Sequence, residues 1–319
     1  MIHIGLCADD KFALPLGVCI TSIFETNKAN DVFVHVLTKG LSQVNIAKLN
    51  ETSKRYNQHI DIHLIEDTIF DGFPISKLFP KAIYFRYLFA DILSKNIKKI
   101  LYIDCDTIVL QSVADLYNVD ITDSPIAAVE DRNGDDILDR NRIEIYDGNY
   151  FNSGVLLMNL EYWRHNESFK QLSKFITDNP SKCLWPDQDA LNIIFHNEVV
   201  WLPFKYNFLI SFFDSFDSYR LHKKKWASIL DSSNCIVILH YATKEKPWYN
   251  DSKHPLTFIW RYFYSKSVWN SVTLKNNRSL TDILYTIYKT KVLKWPMYTI
   301  NPLMKDAIEK LRQDYTLKN

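Results

Sequence analysis

Residues 98–110 read KKILYIDCDTIVL. An apolar run leads into two aspartates, Asp104 and Asp106, separated by Cys105 and followed by Thr107. Two chemistries use such a segment. A carboxylate pair can hold a divalent cation against a diphosphate, because the two charges repel until a cation neutralises them. Alternatively, the first aspartate can be a nucleophile that becomes phosphorylated, as in phosphatases whose motif reads Asp-x-Asp-x-Thr. In a strand, residues i and i+2 face the same side, so the spacing predicts converging carboxylates with Cys105 in the core. Strands also end in aspartate for purely structural reasons, and the pair alone does not choose between these readings.

The elements around the pair narrow the choice. Residues 2–8 (IHIGLCA), 31–38 (DVFVHVLT) and 60–66 (IDIHLIE) read as strands, and 14–27, 42–57 and 82–93 as helices, with 98–106 as the fourth strand. This alternation predicts an α/β fold with a mostly parallel sheet flanked by helices. Ligands of such sheets bind beyond the carboxyl ends of the strands. Two of those ends carry acid pairs, Asp9/Asp10 and Asp104/Asp106. A phosphatase would place its Asp-x-Asp-x-Thr on the opening strand and a second acid pair after a later one. Here about a hundred residues precede the motif, and the only later candidate, GDDILD (134–139), follows no apolar strand.

Further along, 125–131 and 151–160 read as strands, 131–149 as a polar loop over the site, 161–179 and 186–195 as helices, and VVWLPFKYNF and CIVILHYA as late strands. His240 closes the last of these, with Lys246 six residues on. Two carboxylates and an imidazole suit Mn²⁺ or a similar ion better than Ca²⁺, and a lysine there can reach a phosphate.

Composition excludes other classes. The 319 residues carry a formal charge of +1 and a pI near 7.6, which gives no electrostatic case for nucleic acid. With only 7 glycines there is neither GxGxxG nor GxxxxGK[ST], so nucleotide-binding folds built on those loops are disfavoured. The odd set of five cysteines contains no CxxC and suggests reduced thiols in a cytosolic setting. MIHIGLCADD lacks the basic flank and long apolar run of a signal peptide. Residues 271–319 hold nine Lys/Arg against four acids, with Tyr285, Tyr288, Trp295 and Tyr298 interleaved and Trp269 just before. The stretch 279–295 reads as an amphipathic helix with a basic face, either packed on the core or lying on an anionic membrane.

CADDKF, YFRYLFADIL, KKILYIDCDTIVL, YFNSGVLLMNLEYWR, WPDQDALNIIF and LHYATKEKPW occur in this order over about residues 1–250. In these segments the chain resembles the retaining glycosyltransferases of family 8, particularly bacterial lipopolysaccharide galactosyl- and glucosyltransferases. The resemblance implies a GT-A fold over 1–250, with 251–319 a basic, aromatic-rich helical region docking on the inner face of the cytoplasmic membrane. It implies transfer of galactose or glucose from a UDP-hexose, with Mn²⁺ (or Mg²⁺) as cofactor. The acceptor would be a lipid-linked saccharide such as a lipopolysaccharide core; a polysaccharide or glycoprotein glycan acceptor, or a nucleotide-sugar binder without turnover, are the alternatives. By position, Asp104, Asp106 and His240 match the metal ligands. Ala8, Asp9, Lys11, Arg86, Asp104, Asn152 and Lys246 match donor-binding positions. Asp187 and Gln188 match positions beside the transferred sugar. The chain departs from the family where a Gly-Pro pair usually follows His-Tyr, carrying Ala242-Thr243 instead.

Overall fold

A computed structural model describes residues 1–76, 80–132, 137–146, 149–214, 223–292, 294 and 298–316. Strands β1 (Ile2–Cys7), β2 (Val32–Thr38), β3 (His59–Leu64), β4 (Lys99–Ile103), β6 (Ile126–Glu130), β7 (Phe151–Asn159) and β8 (Val199–Leu202) form one sheet in the order β3-β2-β1-β4-β7-β6-β8. All neighbours are parallel except β7, which runs against both β4 and β6. A smaller sheet joins β5 (Thr107–Val109), β10 (Ile238–His240) and β9 (Phe208–Leu209) in the order β5-β10-β9.

The central strands are buried on both faces, so they read as continuous apolar runs. Alternate residues go to opposite layers. Leu101, Ile103, Val155 and Leu157 pack with the helix Ala13–Thr26 and the small sheet, while Ile100, Tyr102, Leu156 and Met158 pack toward the aromatic segment Lys81–Leu88 and the helices after β7. The mostly parallel, helix-flanked sheet is the expected one, and helices Ala13–Thr26, Gln43–Tyr56 and Pro186–Ile194 lie where periodicity puts them.

Four expectations need correction. The fourth strand stops at Ile103, and the chain turns through Asp104–Asp106 before pairing again as β5 in the other sheet. Residues 82–93 form a 3-10 helix over Lys81–Leu88 and a short α-helix over Phe89–Ile92. The helical stretch 161–179 breaks into Leu160–His165 and Ser168–Asp178, with Glu167 left-handed (φ 48°) between them. In the loop expected over 131–149, Ile137–Ile143 is helical, and Ile143, Ile145 and Tyr150 make a small apolar cluster.

The C-terminal residues share the main core. Trp260, Phe263, Trp269, Met304, Ile308 and Leu311 are buried with the helix Ala13–Thr26, and the Tyr315 hydroxyl donates to Leu110 O across 3.0 Å. Burial of Trp269 removes that ring from any membrane-facing set, and Trp295 lies outside the described residues. The expected amphipathic helix spans Leu280–Ile287, followed by a π-type turn over Tyr288–Val292. Gly17 lies directly under Trp269, and a Cβ there would come within 2.3 Å of the indole. Gly17→Ala therefore destabilises the fold by about 1–3 kcal/mol through overpacking, read as a lower denaturant midpoint at unchanged m-value.

Candidate active site

The turn that interrupts β4 builds the site. Asp104 N–H donates to Gly154 O on β7 (2.8 Å), and Thr107 donates to Asp104 O from both its amide (3.2 Å) and its hydroxyl (2.9 Å). Cys105 points into the core as expected, its thiol 3.3 Å from Cys7 O at the end of β1. The two carboxylates thus converge from a turn rather than from one strand face. On the small sheet, Tyr241 N–H donates to Asp106 O (2.9 Å), which brings His240 alongside. One carboxylate oxygen from each aspartate and a ring nitrogen of His240 lie within 4.8 Å of one another, with His240 Nε2 3.2 Å from Asp106 Oδ1 and 4.0 Å from Asp104 Oδ2.

Three observations fit this group to a divalent cation. The donor set is two hard oxygens and one imidazole. The space is kept open by Gly154, where a Cβ would sit 2.3 Å from His240 Cε1 and 2.8 Å from Asp104 Oδ2. Finally, hydrogen bonds fix which nitrogen of His240 is free. Gly154 N–H is necessarily a donor and meets Asn152 Oδ1 at 3.0 Å, so the second contact of that oxygen, at 2.8 Å, is Asn207 Nδ2. Asn207 Oδ1 therefore faces His240 Nδ1 at 2.8 Å and accepts its proton. The Nε2 lone pair is left toward the aspartates, which is how outer-shell partners set a ligand's tautomer.

Arg86 is the cation beneath the site. It is 3% exposed and lies 4.3 Å from the centre of the Tyr102 ring. Its nitrogens reach Ile83 O (2.9 Å), Ser153 O (2.6 Å), Asp187 Oδ2 (3.2 Å) and Asp104 Oδ1 (3.1 Å). Tyr102 OH also donates to Asp104 Oδ1. These contacts hold Asp104 and Asp187 in fixed relation to each other. On the other side Lys246 Nζ contacts Asp106 Oδ2 at 2.6 Å and Tyr241 O at 2.8 Å. Burial would raise the Asp106 pKa, but Lys246 opposes it and holds the carboxyl well below the usual range.

Asp187 and Gln188 open the helix Pro186–Ile194 beside β7. Asp187 is buried and accepts from Ser153 Oγ (3.0 Å); burial raises its pKa against the pull of Arg86. Capping of the helix falls to Asp189, which accepts from Trp185 N (2.7 Å), so Asp187 is not spent on it. Gln188 Oε1 accepts from Ser153 N–H (2.9 Å), which turns Nε2 toward Asp131 Oδ2, 3.4 Å away. Asn152 uses its amide within the protein, donating to Asp131 Oδ2 at 2.8 Å. Asp131, Asn152 and Asn207 therefore form a polar chain from Gln188 to His240.

At the end of β1 the acid pair divides. Ala8 is buried, and Asp9 caps the following turn by accepting from Lys11 N (3.0 Å) and Phe12 N (3.1 Å). Asp10 turns away to Ser42 N (2.7 Å) and Asn45 (2.9 Å), and the Lys11 side chain is exposed. Asn207, Asp131 and Ser153 are the site residues that motif reading misses. The available signal was a lone amide in the aromatic run FKYNFLISFF, since a buried polar group there requires partners.

The chain matches known proteins over this whole region. The family model "Glycosyl transferase family 8" matches residues 3–252. General stress protein A of Bacillus subtilis is 28% identical over 284 residues, covering 85% of this chain and 96% of that protein. A lipopolysaccharide 1,2-glucosyltransferase of Escherichia coli is 27% identical over 271 residues, covering 84% and 79%. The galactosyltransferase LgtC, solved with donor and acceptor sugar analogues, superposes with a TM-score of 0.77 at 25% identity, covering 84% of this chain and 96% of LgtC.

Replacing Asn207 by Ala removes the acceptor that fixes His240. Divalent-ion affinity should fall by roughly 10–100-fold, measured by calorimetric titration, while Asn207→Asp, which keeps an acceptor, loses less.

Proposed function

The chain belongs to glycosyltransferase family 8, and on that footing we propose that it moves a hexose, galactose or glucose, from a UDP-sugar to a saccharide acceptor with retention at the anomeric carbon. The observation that carries this reading is the junction of the Asp104–Asp106–His240 group with Lys246 on one side and the Asp187–Gln188 pair on the other, bridged by Arg86 and Ser153. The LgtC structure held donor and acceptor analogues, and the lipopolysaccharide glucosyltransferase likeness favours a lipid-linked saccharide of the lipopolysaccharide-core kind as acceptor.

Asp104, Asp106 and His240 would hold Mn²⁺, which supplies positive charge against the departing diphosphate. The protein's part is positional and electrostatic. Lys246 is free to exchange Asp106 for a phosphate oxygen and so meets negative charge where it develops. Arg86 keeps Asp104 and Asp187 at fixed positions, and Asp187 offers a buried carboxylate to sugar hydroxyls. Ala8 and Asp9, at the end of β1, would hold the nucleoside, with Lys11 beside them.

Retention needs either a nucleophile on the far face of the sugar or attack from the face the leaving group departs. Gln188 is an amide, a poor nucleophile, and its oxygen is already engaged by Ser153 N–H. We therefore favour front-face substitution. The bond from the anomeric carbon to the phosphate oxygen breaks, the acceptor oxygen bonds the same carbon on the same face, and the acceptor proton passes to the departing phosphate oxygen. Gln188 then lines the cation-like centre rather than bonding to it.

The C-terminal region supports membrane docking. Leu284, Ile287 and Tyr288 are exposed at 64%, 49% and 51% and share one helical face with the exposed Lys291. Among the described residues no helix is long and apolar enough to cross a membrane, so such docking would be peripheral.

Purified protein with Mn²⁺ should release UDP from UDP-galactose or UDP-glucose when a lipopolysaccharide-core acceptor is present, and a donor screen identifies the sugar. Asp104→Ala or Asp106→Ala should lower kcat by about 100–1000-fold; undiminished turnover would remove the metal assignment. Gln188→Ala should reduce rate without trapping or abolishing a covalent sugar adduct by mass spectrometry; detection of an adduct on Gln188 in the unsubstituted enzyme would defeat the front-face route. For docking, sedimentation with phosphatidylglycerol vesicles should show salt-sensitive binding that the triple change Leu284→Ser, Ile287→Ser and Tyr288→Ser abolishes.

A further inference from the structure

Away from the active site, the edge of the large sheet carries a second convergence of metal-binding side chains. β3 is the terminal strand, and it pairs with β2 so that His35 lies directly opposite Asp61, with His63 two residues further along the same face. His35 Nδ1 and His63 Nε2 are 3.2 Å apart. A carboxylate oxygen of Asp61 completes a set of three ligand atoms within 4.8 Å of one another. We propose that His35, Asp61 and His63 form a second cation site, selective for Zn²⁺ or a comparably borderline divalent ion and separate from the site that serves sugar transfer.

The geometry supports the ion type. Zn–N bonds of about 2.0–2.1 Å at a tetrahedral centre place two ligand nitrogens roughly 3.3 Å apart, close to the observed separation. Two imidazoles and one carboxylate leave a fourth position for water, the arrangement zinc takes when a site stays open. The Asp104–Asp106–His240 group has the opposite balance of two oxygens to one nitrogen, so the two sites differ in the softness of their donors.

The tautomers are also arranged for it. His35 Nε2 is 3.0 Å from His3 Nδ1 on β1. With the Nε2 proton donated to His3, the His35 Nδ1 lone pair faces His63, and His3 serves as the outer-shell partner that orients the ligand. Without an ion, His63 Nε2–H fills that gap as a hydrogen-bond donor. Binding requires only that this proton move through water to Nδ1 of the same half-buried ring, so no net proton is released at neutral pH. Burial, then the neighbouring imidazoles, brings the His35 pKa down to about 3, and burial lowers those of His63 and His3. These rings are therefore neutral near pH 7, the form that binds metal. Phe33 stacks on His35 at 4.6 Å and on His59 at 5.3 Å, giving the site an apolar flank on the same face of the sheet. Asp61 is exposed at the sheet edge and gives the ion a way in.

The test is Zn²⁺ uptake by the full chain, measured by competition with a chromophoric chelator and by thermal unfolding with and without Zn²⁺. The unsubstituted protein should bind one more Zn²⁺ per chain than His63→Gln, and Asp61→Asn should weaken that ion by at least about tenfold. Zn²⁺ should raise the unfolding midpoint of the unsubstituted protein and of Asp106→Asn, but much less that of His63→Gln. His63→Gln should keep full Mn²⁺-dependent transferase turnover. Equal Zn²⁺ uptake by His63→Gln and the unsubstituted protein would overturn the proposal. So would uptake abolished by Asp106→Asn alone, which would place all the zinc at the other site. Because the readout is binding and unfolding, failure of the transferase reading would leave this result intact.

Discussion

A single buried guanidinium organises the active site. Arg86 meets Asp104 in the turn after β4, the buried Asp187 on the helix Pro186–Ile194, and the Ser153 carbonyl between them. Burying one carboxylate beside another is costly unless a cation and further hydrogen bonds accompany them. Arg86, stacked on Tyr102 and with every nitrogen occupied, meets that requirement. Lys would not, since its single ammonium cannot reach four acceptors in a plane. The 3-10 winding of Lys81–Leu88 belongs to the same constraint, because Arg86 must turn inward from a segment that also buries Tyr84, Phe85, Tyr87 and Leu88.

Above that cation, order is transmitted by amides rather than by charge. The Gly154 and Ser153 N–H groups of β7 fix the amides of Asn152 and Gln188, and Asn152 fixes Asn207, which fixes His240. A backbone donor cannot reverse its role, so a chain started by one has a single consistent orientation. The Nε2 face of His240 and the amide of Gln188 are thus both referred to adjacent residues of one strand.

Much of this was legible in the sequence. Strand-helix alternation gives the large sheet, and the Asp-x-Asp pair, the strand-end His240 and the family resemblance together point to one group, although the aspartates converge from a turn and not from a strand face. What periodicity could not show is where a strand leaves its sheet: KKILYIDCDTIVL is apolar on both sides of the aspartates because both halves are buried, but in different sheets. Arg86 reads as a donor contact when only its motif is visible, and the fold adds that the same buried guanidinium holds Asp104 and Asp187. Asn207 and Asp131 carry no motif, and their importance exists only once the fold brings positions 131, 152, 188 and 207 together. The helix Ile137–Ile143 was hidden by its polar composition, since it is held by contacts such as Arg142 with Asp189 (2.8 Å) rather than by a long apolar face.

The turn from β4 into β5 has a mechanical consequence. Asp104 is tied to the large sheet through Gly154, whereas Asp106 and His240 belong to the small one. An ion held by all three residues would bridge a seam between two separately hydrogen-bonded sheets, in the manner of a clasp. Occupancy and docking of the sheets would then be reciprocal: whatever loosens the seam would weaken the grip on an ion, and a bound ion would resist separation of the sheets. The smaller sheet also carries Phe208 and Leu209, which pack into the core that receives Met304 and Ile308. Through that packed core the C-terminal helix is mechanically continuous with the small sheet that carries His240.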